Sequence, residues 1–100
     1  MKARLLYKEK LQFEDGSILE LVLWELPNKT KDRSHGCKYR LYYCDNERHC
    51  IVRYDNETGK GDHKHIGDKE IEYLFVDKDT LLEDFYRDVM QYLKKRAKHE

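Results

Sequence analysis

The sequence has no net charge with which to attract a partner: twenty Lys and Arg balance twenty Asp and Glu. Attraction of nucleic acid or an acidic membrane by overall charge is thereby excluded, and only local clusters carry information. A single proline, Pro27, and five glycines are too few for a flexible linker or a low-complexity segment. No apolar run approaches bilayer-spanning length, and Met1-Lys2-Ala3-Arg4-Leu5-Leu6-Tyr7 lacks the apolar stretch of a signal peptide. No membrane is therefore expected as a partner. Cys37, Cys44 and Cys50 are odd in number and contain no C-x-x-C pair. That argues against a secreted disulfide framework and for reduced, partly buried thiols in a cytoplasmic protein.

One hundred residues give room for one core, so a single domain over residues 1–100 is expected. Only 39% of residues are hydrophobic, but twelve aromatics, eight of them Tyr, supply large buried surfaces and separate this chain from a disordered one. Lys2 to Glu14 alternates, with Ala3, Leu5, Tyr7, Leu11 and Phe13 on one face and charges on the other, the signature of an antiparallel strand with one wet face. Leu6 and Glu9 break the alternation and suggest a bulge. Asp15-Gly16 is a hairpin turn signal. The next strand, Ile18 to Leu26, is apolar on both faces and so belongs inside the sheet or under a cover. Pro27 ends it, and the polar loop Asn28 to Gly36 is long for a hairpin connection, which makes it a contact loop.

Alternation resumes from Cys37 to Cys44. Asp45-Asn46-Glu47 turns the chain into a strand from Arg48 to Asp55. Asp62 to Gly67 reads as extended, and Glu70 to Val76 as a last short strand. Asp77 or Asp79 can cap a helix, Thr80-Leu81-Leu82-Glu83 matches a capping box, and Leu82, Phe85, Val89 and Tyr92 or Leu93 form a stripe that docks on a sheet. Acidic residues at the start of this helix and Lys94, Lys95, Arg96 and Lys98 at its end suit the helix dipole, without any nucleic acid. The expected fold is α+β: a curved antiparallel β-sheet of about five strands with one C-terminal α-helix packed on one face.

The stretch from Arg53 to Gly67 concentrates Asp, His, Lys and Arg around glycines. Gly59 and Gly61 free the backbone to approach a ligand, and Lys60 between them adds a cation. The spacing is not that of a P-loop, which excludes nucleoside triphosphate hydrolysis on that pattern. His63 and His65, two apart on an extended segment, face the same way with Cα atoms about 6.5–7 Å apart. Such a pair suits general acid–base catalysis near neutral pH. Cleavage of RNA by its own 2′-hydroxyl needs that pair, cations at the phosphate and no metal. Arg40, Arg53, Lys60 and Lys64 are the candidate cations. Asp62 or Asp55 would orient a histidine, with Asn56 in support, and Tyr54 or Tyr42 would stack on a base. Two other readings of the same residues stay open. Asp62, His63 and His65 can be the hydrogen-bonded rim of a turn. They can also begin a metal site, completed from His35, His49 or Cys50, although no metal or other cofactor is expected.

Arg53-Tyr54-Asp55-Asn56, then Gly59-Lys60-Gly61-Asp62-His63, His65 and Gly67, resemble the TumE-like family of toxins from toxin–antitoxin pairs. The likeness extends through Asp15-Gly16, through His35-Gly36 with Lys38-Tyr39, and through Leu81 with Asp84-Phe85. It covers nearly the whole chain. The resemblance implies a toxin encoded beside a helix-turn-helix antitoxin, and, as for many toxins of this size, an endoribonuclease that cuts mRNA, including mRNA on the ribosome. It assigns no catalytic residues, so the roles above rest on the residues themselves. The neutral charge and the turn-rim reading of the histidines favour the alternative, a non-catalytic binding module that holds a protein partner.

Overall fold

A computed structural model describes residues 3–29, 35–56 and 61–98. Six strands follow in chain order, β1 (Arg4–Gln12), β2 (Ile18–Glu25), β3 (Cys37–Cys44), β4 (Cys50–Asp55), β5 (His63–Ile66) and β6 (Lys69–Glu72), and then one helix, α1 (Lys78–Lys98). Every strand pairs antiparallel with the one before it, giving a 6-stranded meander in the order β1-β2-β3-β4-β5-β6. The α+β sheet-and-helix architecture is as the alternation predicts. The sixth strand arises because the segment expected only to be extended, Asp62 to Gly67, pairs as β5, and the last strand, expected over Glu70 to Val76, is β6 over Lys69–Glu72.

Local chemistry fixes the turns. Gly16 has φ +90°, and a Cβ there would lie 3.1 Å from Cβ of Asn46, so both backbone and space demand glycine. Asp15 Oδ1 accepts from the Ser17 amide and hydroxyl at 2.9 and 2.6 Å, closing the turn between β1 and β2. Asp45 does the same between β3 and β4, accepting from the amides of Glu47 and His49. The expected bulge in β1 lies between Leu5 and Tyr7.

Strand alternation sends Leu19, Leu21, Leu23, Tyr39, Leu41, Tyr43, Val52 and Tyr54 to one face, where Leu81, Phe85 and Val89 of α1 meet them. The fully buried position is Leu81, with the predicted Leu82 only half-buried. Phe85 and Val89 are buried as the stripe predicts, and Leu81 takes the deepest place in the first turn of the helix. The helix cap is Asp77, whose Oδ1 accepts from the Thr80 amide at 2.7 Å. Thr80 lies inside the first turn, so the Thr80–Glu83 box is not the cap. Because α1 lies nearest β4, Tyr7 and Leu11 of β1 and Phe13 just after it remain substantially exposed at the far side, while the bulge pairs Leu5 with Trp24 and leaves it exposed on the other face.

Buried tyrosines join the layers. Tyr54 donates to Asp88 of α1, and Lys64 reaches the same carboxylate at 3.1 Å. Tyr73 donates to Asp84 at 2.7 Å, and Phe85 meets the Tyr54 ring edge-on with centroids 5.7 Å apart. No helix among the described residues is long and apolar enough to cross a membrane.

Two stability predictions follow from this packing. Leu81→Ala is expected to cost about 2–5 kcal/mol through the cavity it leaves, and Tyr54→Phe about 1–3 kcal/mol through the lost bond to a charged acceptor, both read from urea denaturation. The phenols of Tyr39, Tyr54 and Tyr73 are all pushed up, by burial first and then by the carboxylates they bond. A phenol whose ionisation is raised in the folded state gives its full stability below the ordinary tyrosine value near 10. That stability is lost as pH rises beyond it. Denaturation midpoints should fall steeply above about pH 10, and less steeply in Tyr54→Phe.

Candidate functional site on the helix-free face

The parity that turns Tyr54 toward the helix turns its neighbours Arg53 and Asp55 to the other side of the sheet. Register then sets β5 beside them: Asp55 pairs with His63, and Arg53 with His65. On the other flank Arg40 of β3 pairs with Asp55, and Tyr42 with Arg53. Beyond β5, Glu72 pairs with His63 and Glu70 with His65. Two adjacent rows of polar residues thus cross four strands, Arg40–Asp55–His63–Glu72 and Tyr42–Arg53–His65–Glu70.

Asp55 is the centre of this network. Its Oδ1 lies 2.5 Å from His63 Nε2 and its Oδ2 lies 3.3 Å from Arg53 Nε, with side-chain exposures of 7% for Asp55 and 6% for His63. Neither Asp55 Oδ1 nor Arg53 Nε makes a directed hydrogen bond, so the buried carboxylate is held by proximity to charge more than by bond direction. The other nitrogen of His63, Nδ1, faces the Gly61 carbonyl at 3.1 Å. Gly61 has φ +75° with open space where a Cβ would sit, so its backbone conformation is what the position requires. Both neighbours of His63 are acceptors.

His65 is in the opposite situation. Its Nε2 lies 3.1 Å from Arg53 Nη2. A guanidinium has only donors, so Nε2 must accept and the ring proton sits on Nδ1. The two imidazoles, 5.2 Å apart and nearly perpendicular, therefore differ in their partners: acceptors face His63, and a donor faces His65. Beside them a pocket of about 240 Å³ is lined by Lys38, Tyr39, Arg40, Arg53, Asp55 and Asn56. Arg40 is exposed and lies over the Tyr42 ring at 5.6 Å. Asn56, fully buried, accepts from the Tyr39 amide at 3.0 Å and donates to the Cys37 carbonyl at 2.7 Å, extending the β3–β4 ladder past the end of β4.

The other candidates lie elsewhere. Asp62 does not orient His63: its carboxylate accepts from Tyr39 at 2.6 Å and contacts His35 Nε2 at 3.0 Å, on the helix side. Lys64 also turns to the helix side, onto Asp88, because it is the immediate neighbour of both His63 and His65 and strand side chains alternate. Tyr54 has no exposed surface and none to offer a base. Lys60 and Gly59 lie outside the described residues. Lys38, part of the family likeness but with no role expected of it, and Glu70, which no local motif marks, reach this face through strand register.

His63, His65 and Glu70 each place one ligand atom within 4.8 Å of the others. The arrangement fits a cation poorly, because Arg53 already faces His65 Nε2 and both nitrogens of His63 are engaged. The further ligands suggested by sequence do not converge on it. His35 is with Asp62, His49 with Asp45 in the turn, and Cys50 opposite Cys44.

An antiparallel meander carrying one helix on one face and an Arg–Asp–His network around a buried Asp55 and His63 on the other defines a small α+β protein with a charged, histidine-bearing sheet face. The family model of the toxin TumE matches residues 2–93, and the chain belongs to the TumE toxin family. A toxin of this kind implies an antitoxin partner. No curated protein matches the chain, and no solved structure does.

Asp55→Asn removes the one negative charge between Arg53 and His63. It is expected to destabilise the fold by about 3–5 kcal/mol, the range for breaking a buried pair, in chemical denaturation. Lys38→Ala, at an exposed position, should stay within about 0.5 kcal/mol.

Proposed function

We propose that this toxin is an endoribonuclease of a type II toxin–antitoxin system, acting on mRNA without a metal and neutralised by a helix-turn-helix antitoxin. The observation that carries this reading is the position of Arg53. It touches the buried carboxylate of Asp55 and the lone pair of His65 and lines the pocket that holds Lys38 and Arg40. A phosphodiester in that pocket meets three cations. It draws Arg53 toward its own charge, and His65 Nε2 is then released to take the proton of the 2′-hydroxyl. That oxygen bonds phosphorus as the bond to the 5′-oxygen breaks, and the leaving oxygen takes its proton from water. His63 is buried with both nitrogens engaged, so its part is that of a positioning residue that holds Asp55, and through it Arg53. This divides the labour of the two histidines differently from an acid–base pair in which both touch the substrate.

A second reading, a non-catalytic module holding a protein partner, draws on the same geometry, since the lone pair of His65 is already occupied. It draws also on exposed apolar residues such as Leu74, Val76 and Met90.

Inducible expression of wild type and the His65→Ala, Arg53→Lys and His63→Ala proteins, with growth and RNA integrity followed together, separates the two. Growth arrest with RNA loss is expected for wild type and for a Met90→Ala control. In purified protein with a chelator present, His65→Ala is expected to slow cleavage by about 10²–10⁴-fold while circular dichroism remains that of wild type. Intact RNA with folded wild-type protein, at an expression level that arrests growth, would sink the nuclease reading.

A further inference from the structure

We propose that Cys44 and Cys50 are a site of reversible covalent modification, closing to an intramolecular disulfide by exchange with a low-molecular-weight disulfide such as oxidised glutathione. The two residues are direct partners across β3 and β4, at the end next to the turn. One step further out, the Asp45 amide donates to the His49 carbonyl at 3.0 Å. That bond makes the Cys44–Cys50 rung one of the non-hydrogen-bonded kind. Such rungs bring opposed Cα atoms to about 4.5 Å and their side chains closest together, inside the range a disulfide spans. Both side chains leave the sheet on the same face, because cross-strand partners always do.

The thiols differ in the way an exchange reaction needs. Cys50 is exposed and Cys44 half-buried. The Cys44 thiol is pushed up to about 12, by burial first and next by Cys50 beside it. Cys50 therefore reacts first: its thiolate attacks one sulfur of oxidised glutathione, forming a mixed disulfide and expelling one glutathione thiolate. Cys44 then gives up its proton and attacks the Cys50 sulfur, expelling the second glutathione. Two protein thiols are oxidised by two electrons, and one glutathione disulfide is reduced to two thiols.

Cys37 is excluded from this chemistry. It sits at the opposite end of β3, and its half-buried side chain packs with the core on the helix side. The closed bond would tie the two strands that carry Arg40, Tyr42, Arg53 and Asp55. It would also constrain the unfolded chain across the 45–49 turn.

The test is to incubate the folded protein with oxidised glutathione, block free thiols under denaturing conditions, and read intact and peptide masses. The expected product carries one blocked thiol, at Cys37, and a Cys44–Cys50 linked peptide that dithiothreitol reverses. It should also melt at a higher temperature than the reduced protein. In Cys44→Ser the reaction should stop at a glutathione adduct on Cys50, and Cys50→Ser should leave Cys44 unmodified. Three blocked thiols, a wild-type adduct that persists on Cys50, or a linkage that includes Cys37 would each overturn the proposal.

Discussion

The pairing of β4 with β5 in a single register, Arg53 against His65 and Asp55 against His63, is the constraint on which the polar face depends. Side chains alternate with period two, so a slip of one residue would send Tyr54 and Lys64 to the helix-free face and bury Arg53 and Asp55 against Phe85. The register is held from the helix side. Tyr54 and Lys64, also partners across the two strands, both reach the carboxylate of Asp88. A contact on one face of the sheet therefore sets the geometry on the other. Lys64, an obvious phosphate-binding candidate from its neighbours in sequence, is spent on that structural tie.

The same device recurs. Tyr39 donates to Asp62, Tyr54 to Asp88 and Tyr73 to Asp84. In each case a large aromatic fills the core while its hydroxyl satisfies a carboxylate, so the carboxylate can sit at a half-buried position without a large desolvation cost. With 39% hydrophobic residues the chain has few aliphatic side chains for its length, and these tyrosine–aspartate contacts extend the core to the β5, β6 and helix end of the sheet. Asp55 is the exception. Its partners are a guanidinium and an imidazole in place of a phenol, and a buried charge balanced by charges is costly to assemble and costly to break. A chain gains little stability from such a network that apolar residues would not supply, which directs attention to its chemistry.

Much of the fold is written in local patterns. The period-two runs, the Asp15-Gly16 turn and the Leu-Phe-Val stripe place β1 to β4 and α1 to within a few residues, because alternation, turn residues and helical spacing are all properties of neighbours in sequence. The pairing and bounds of β5 and β6 are less legible, since four-residue strands offer too few alternations to fix a period. Within the site, His63, His65, Arg53 and Asp55 are recognisable from their density in one segment. Their partners are not. Asp62 adjoins His63 in sequence yet serves Tyr39 and His35, while Asp55, eight positions away, is the residue at its side. Lys38 and Glu70 reach this face only through strand pairing, which no single window of sequence displays.

The charge distribution bears on how such a face would meet RNA. Lys38, Arg40 and Arg53 line one pocket, but Glu70 and Glu72 end the same two rows on β6, and the whole chain is neutral. Few phosphates can be neutralised at once by such a surface, so binding through counterion release is shallow in its dependence on salt. On the nuclease reading, affinity for bulk RNA would then be weak, and a substrate would have to be presented, by its own local shape or by the ribosome that carries it. A basic sheet of the same size would bind RNA indiscriminately. On the proposed reading, neutrality restricts this toxin to strands whose single phosphodiester fits between Arg53 and His65.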